Sequence, residues 1–148
     1  MSSSDHIVLF RRTPAELNRR NLERFAETLR QQVSKGVPFT CLVTGDAELR
    51  RLNRDFRGKD YATDVLSFPD SSPAPFLGDI AISLPRARAQ AKDQRHPVEI
   101  EIRILMLHGL LHLLGMDHET DHGRMARAEA RWRQRLALPI GLIERARV

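Results

Sequence analysis

A single cysteine, Cys41, in 148 residues excludes an internal disulfide and any zinc cluster built on several thiolates. Its surroundings, Phe-Thr-Cys-Leu-Val-Thr, are largely apolar, so the thiol reads as a small buried hydrophobe. No run of residues approaches the roughly 18 apolar positions of a membrane helix. The opening Met-Ser-Ser-Ser-Asp-His has no basic stretch leading into an apolar one, so no signal peptide is expected and the default location is cytoplasmic. There is no internal repeat and no long linker. A chain of this length buries about two-thirds of its unfolded surface and needs no disulfide or metal staple to fold. Residues 1–148 are therefore expected to form one domain.

Lysine is scarce as well. Arginine supplies all but three of the 24 cations, against 19 carboxylates, for a net charge of +5 and a pI near 10.3. An excess of guanidinium attracts phosphate polyanions and matches their oxygens two at a time. Charge of this size spread over a surface recognises nothing by itself, so it admits a nucleic-acid partner without identifying one.

Hydrophobic spacing sketches the elements. His6 to Arg11 reads as a short strand, and Thr13-Pro14-Ala15-Glu16 as a capping box with proline at the first helical position. Leu22, Phe25, Ala26, Leu29 and Val33 follow at helical spacing, with Gly36 as the stop. Phe39 to Thr44 alternates as a strand. Asp46 is placed to cap a helix whose Leu49, Leu52 and Phe56 form one apolar stripe. Arg57 to Asp64 is a polar loop, Val65 to Phe68 a strand, Pro69 to Pro75 a proline-rich loop and Leu77 to Ser83 a strand. Ser83-Leu84-Pro85 opens a helix to about Arg95, and Pro97 breaks the chain before the next. That helix, Val98 to about Leu114, is apolar nearly all round and should be the central buried one. A last helix begins near Asp121, with Met125, Ala128, Trp132 and Leu136 on one side. The order predicts an α+β domain: one small sheet of about four strands with about five helices packed around it.

Chemistry concentrates in residues 108–118, His-Gly-Leu-Leu-His-Leu-Leu-Gly-Met-Asp-His. His108 and His112 are four apart and project from one helix face, close enough for two imidazoles to reach one metal ion. Gly115 can end the helix with a positive φ, and the returning chain brings His118 as a third nitrogen. Two histidines in so apolar a helix would be costly to bury without partners. Three neutral ligands with an open fourth position are the pattern of a catalytic zinc, although the same donors also take nickel, copper or iron. The spacing is that of the metzincin proteases, His-Glu-x-x-His-x-x-Gly-x-x-His. Those enzymes carry their general base in the second place, where this chain has Gly109, so the peptidase reading loses its key residue. A metal-bound water on His108, His112 and His118 can act as hydroxide without a separate base, which suits phosphodiester hydrolysis. Asp117 and Glu119 flank His118 and could orient a ligand ring or be solvated loop charges. His6, His96 and His122 receive no role.

The same eleven residues resemble the signature of the YbeY family, bacterial metal-dependent endoribonucleases of ribosomal RNA maturation. Leu52 to Pro69 (Leu-Asn-Arg-Asp-Phe-Arg-Gly-Lys-Asp-Tyr-Ala-Thr-Asp-Val-Leu-Ser-Phe-Pro) and Leu77 to Ser83 (Leu-Gly-Asp-Ile-Ala-Ile-Ser) agree with it as well. The likeness spans about residues 40–136. Met116 stands where the family usually has tyrosine and Ala62 where proline is common. The tail from Pro139 matches weakly.

The resemblance implies a small mixed sheet surrounded by helices and one zinc ion on His108, His112 and His118. It implies that Arg57 lies in the cleft near the metal and acts in catalysis. Read from the residues alone, Arg57 is either a clamp for a scissile phosphate or a cation at a helix end. The implied substrate is single-stranded RNA. The implied role is maturation of small-subunit (16S) ribosomal RNA, including its 3′ end, and ribosome quality control. A small-subunit ribosomal protein and an assembly GTPase are the implied protein partners. Two other readings share these residues: a ribosome-assembly factor in which the metal serves stability, and a metallohydrolase of a peptide or small phosphoester.

Overall fold

In a computed structural model of the chain, residues 6–12, 14–71, 75–139 and 142–146 are described. Four strands, β1 (Val8–Phe10), β2 (Thr40–Thr44), β3 (Val65–Pro69) and β4 (Gly78–Ser83), form one sheet in the order β1-β2-β4-β3. β1, β2 and β4 run parallel, and β3 closes the far edge antiparallel to β4, so the sheet is mixed. The helices are α1 (Arg19–Gln32), α2 (Asp46–Arg57), α3 (Leu84–Gln94), α4 (Val98–Leu113), α5 (Arg124–Arg135) and a short α6 (Leu142–Ala146). The α+β architecture and the four-strand, five-helix outline follow the sequence reading; α6 is the addition. Among the described residues no helix is long and apolar enough to cross a membrane.

The core divides across the sheet. Cys41, Val43, Ile80 and Ile82 join α1 and α4 in the main cluster, while Leu66 and Ala81 face the other way against Leu49 of α2. Alternation of side chains along a strand makes this division. Cys41 is fully buried, and burial pushes its thiol up from the ordinary range. α4 is the axle. Eleven of its 16 residues are buried, against α1, α3, α5, α6 and the β3–β4 half of the sheet.

Several local expectations change. Thr13 lies outside the described residues, and α1 starts later, where the Asn18 side chain accepts from the Asn21 N–H at 2.9 Å. α1 ends at Gln32, and the Gly36 N–H reaches back to the Arg30 carbonyl at 2.7 Å. α2 is capped by Gly45 without a side-chain bond. The Asp46 carboxylate instead accepts from the Ser83 hydroxyl at 2.6 Å and from Arg86 at 3.1 Å, tying α2 to the start of α3. Phe56 leaves the buried stripe of α2 and is 70% exposed, while Asn53 takes the buried place and donates to the Tyr61 carbonyl. Pro69 belongs to β3 rather than to the following loop, of which residues 72–74 lie outside the described residues.

Two carboxylates pin the fold at opposite ends. Glu101, fully buried in α4, accepts two bonds from Arg145 of α6 at 2.8 and 2.9 Å and contacts His96 at 2.7 Å. Glu48 of α2 accepts from Arg11, Thr44 and Arg51, joining the ends of β1 and β2 to the helix. The bond from Arg11 is the leading cause that holds the Glu48 carboxyl down at about 2. An unfolded glutamate titrates near about 4.3, so this stabilisation is complete above that pH and is lost as pH falls toward about 2. Arg11 is largely exposed, which discounts the contribution to about 1 kcal/mol. In urea titrations Glu48→Gln should therefore cost about 1 kcal/mol near pH 6, with the gap from wild type shrinking by about pH 3. A gap that stays constant with pH would show that the ionised carboxylate is not what stabilises this corner.

Candidate metal centre

The site forms where the buried helix runs out. His108 lies on the covered face of α4 and is 7% exposed, His112 sits one turn later half-buried, and His118 is exposed in the following loop. Gly115, at φ +91°, lets the chain reverse, with its N–H on the His112 carbonyl at 2.9 Å and that of Met116 on Leu111. The reversal returns His118 to the helix, and one ligand nitrogen from each ring falls within 4.8 Å of the others. The ring centroids of His108 and His112 are 4.9 Å apart, and each is 5.9 Å from that of His118. Three converging imidazoles suit a borderline-soft divalent ion, so the residues present fit one metal ion, with no fourth side-chain ligand in the group.

Each helical histidine is oriented from behind. His108 Nδ1 meets Glu129 Oε2 of α5 at 2.8 Å, and the other oxygen of Glu129 accepts from the Ile143 N–H at 2.9 Å. This carboxylate, 1% exposed, fixes the orientation of the His108 ring and leaves Nε2 for the cleft. The His112 ring bonds to the Met116 carbonyl; burial first, then the neighbouring His108, pulls its pKa below the ordinary value. A lowered pKa keeps the ring neutral, the form that binds metal.

Asp117 and Glu119 do not take the orienting part open to them from sequence. Asp117 accepts from the Glu119 N–H at 3.1 Å and shapes the loop, and both residues line the cleft wall. Glu129 was missed, yet it had a signal. It falls on the apolar side of α5 beside Met125, Ala126 and Ala128, where an ionised residue needs a buried partner.

Gly109 has a steric reason. A Cβ there would stand 2.9 Å from Ile80 Cγ2 and 3.2 Å from the Ser67 hydroxyl, which donates to the Gly109 carbonyl at 2.9 Å. α4 thus lies directly on β3 and β4 at this point, and a glutamate has no room beside the three rings. The metal-ligand spacing is protease-like, but the general base of that chemistry is excluded by packing.

The three histidines open into a cleft of about 790 Å³ between α4, the end of α2 and β3. Arg57, the last residue of α2, stands on its wall and makes no ion pair among the described residues. Phe56, Ser67 and Phe68 line the same space. The fold therefore gathers His108, His112, His118 and Arg57 into one cavity. His96 goes to the Glu101 network, and His6 and His122 lie outside the cleft.

A model of the family described as Endoribonuclease YbeY matches residues 9–137. The chain belongs to the YbeY family. A relative from Solibacter usitatus, named Endoribonuclease YbeY, is 67% identical over 138 residues, which are 93% of this chain and 92% of its own. A second of the same name, from Koribacter versatilis, is 43% identical over 139 residues, 94% of this chain and 91% of its own. Among solved structures, that of TM1509 from Thermotoga maritima in solution superposes with a TM-score of 0.57 at 26% identity, over 84% of this chain and 85% of that one. The YbeY match extends across β1 and α1, the part of the chain without a signature of its own.

The contact between His108 and Glu129 leads to a test. Glu129→Ala should weaken metal binding about 10- to 100-fold, read by competition with a chromophoric chelator. Unchanged affinity in a folded Glu129→Ala protein would mean that the carboxylate serves packing alone.

Proposed function

We propose that this YbeY-family chain is a zinc-dependent endoribonuclease that cuts single-stranded RNA in the cytoplasm. Its task would be maturation of small-subunit (16S) ribosomal RNA, including the 3′ end, and ribosome quality control. The observation that carries the reading is the cavity in which three imidazoles converge beside a guanidinium that makes no ion pair among the described residues, in a chain whose relatives are named endoribonucleases. The basic balance of the chain agrees with a polyanionic substrate. A small-subunit ribosomal protein and an assembly GTPase are the partners that such a task entails.

His108, His112 and His118 would hold the zinc ion. When bound there, zinc supplies Lewis-acid polarisation of a phosphoryl oxygen and acidifies a water. The chain's own groups do the rest. Glu129 and the Met116 carbonyl keep two rings aimed at the cleft. Arg57 receives non-bridging oxygens of the scissile phosphate in its planar fork and offsets the negative charge that grows in the transition state. Gly109 keeps a carboxylate off that part of α4, so the helix contributes no general base.

Cleavage of a small-subunit ribosomal RNA fragment by highly purified protein tests this. His112→Ala should lose both metal and cutting. Arg57→Glu should keep the metal and lose cutting by about 100-fold or more. Equal cutting by all three preparations would assign the activity to a contaminant and favour the assembly-factor reading.

A further inference from the structure

We propose that Phe56, held in place by Phe68, is a stacking platform for one unpaired nucleobase of the substrate strand. The proposal rests on the endoribonuclease reading and adds to it which part of the nucleotide the cleft wall grips and why a single strand fits.

Phe56 is the most exposed large apolar side chain among the described residues, at 70% against 54% for Tyr61 and 39% for Leu9. Helical spacing puts it in line with Leu49 and Leu52, so a turn inward would cover it; instead it stands out into the cleft. The ring is not loose. Its centroid lies 5.5 Å from that of Phe68, with the planes at 61°, an edge-to-face contact. Phe68 in turn packs onto the small cluster of Leu49, Leu66 and Ala81. An aromatic ring on the cavity wall is thus backed by the core while most of its own surface stays exposed.

Its surroundings identify the occupant. The next residue is Arg57, which has no carboxylate partner among the described residues, and the same cavity holds the three histidines. An apolar peptide side chain would cover Phe56 but leave the guanidinium and the imidazoles unmatched. A nucleotide matches both: its base offers a flat π face and its phosphate offers oxygens. Because Phe56 and Arg57 line the same cavity, a base on the ring brings a neighbouring phosphate of its strand into the space the guanidinium borders. Every base has such a face, so this grip tolerates sequence. Inside a duplex both faces of a base are already covered by its neighbours, so the platform accepts only unstacked strands.

Fluorescence anisotropy with a short 2′-O-methyl RNA, verified to stay intact with the wild type, separates this contact from catalysis. Phe56→Ala should weaken single-strand binding roughly 5- to 100-fold. Phe56→Tyr should restore it, and duplex binding, melting temperature and metal content should stay as in wild type. An oligonucleotide with one abasic position at the contact should bind Phe56→Ala and wild type alike. If Phe56→Ala binds single strands as wild type does, or weakens duplex and single strand equally, the platform is overturned while the endoribonuclease reading stands. If the wild type neither binds nor cuts RNA, both fall.

Discussion

A helix that is apolar on nearly every side can exist in water only if something covers every side, and α4 imposes that condition on the whole molecule. The sheet covers one flank through β3 and β4, α1 and α3 cover others, and α5 and α6 close the remainder. The condition also decides where chemistry can occur. His108 and His112 are carried by the last two turns of this helix, so the first is enclosed and the second sits at the boundary with the cleft. His118 is added only because Gly115 turns the chain back at that boundary. The position of the three-histidine site is thus a by-product of where the burial of α4 stops.

Ionised groups inside such a core need partners of matching charge or hydrogen-bonding capacity. Glu101 and Glu129 are the two carboxylates enclosed with α4 among the described residues, and both are answered partly by the C-terminal segment: Arg145 for Glu101, and the Ile143 N–H for Glu129. Through Glu129 the tail is linked to His108, so docking of α6 and orientation of the His108 ring belong to one hydrogen-bonded unit. A tail with weak resemblance to its family thereby enters the site through its backbone, a contact that needs no particular side chain at Ile143.

This pattern explains what could be read from the amino-acid order. The convergence of His108, His112 and His118 was legible because their spacing is a property of one helix and one turn, local in the chain. The buried character of α4 was legible for the same reason. The partner of His108 was not, since Glu129 lies 21 positions away and meets it only after α5 folds back. Phe56 misled because helical spacing predicts a face, not whether another layer is there to cover it; α2 reaches past the small cluster it packs on. The cap of α2 misled likewise: Asp46 is at the right place to bond its own helix but finds Ser83 and Arg86 instead, a choice that exists only in the folded chain.

The same close approach that seats α4 on the sheet also shapes what the cleft can accomplish. Because Ile80 and Ser67 occupy the space a side chain at position 109 would need, the helix brings nitrogen ligands and no acid to the rings. A peptide bond, with a poor leaving group, depends on the glutamate that protease-like sites place there. A phosphodiester carries its own negative charge and calls for cations about it more than for a carboxylate nearby. Arg57 lines the same cleft, at the C-terminal end of α2, where the carbonyl ends of the helix also favour a cation. Packing therefore does more than hold this site: by excluding a side chain at position 109 and setting Arg57 on the cleft wall, it separates this cleft from the proteases that share its histidine spacing.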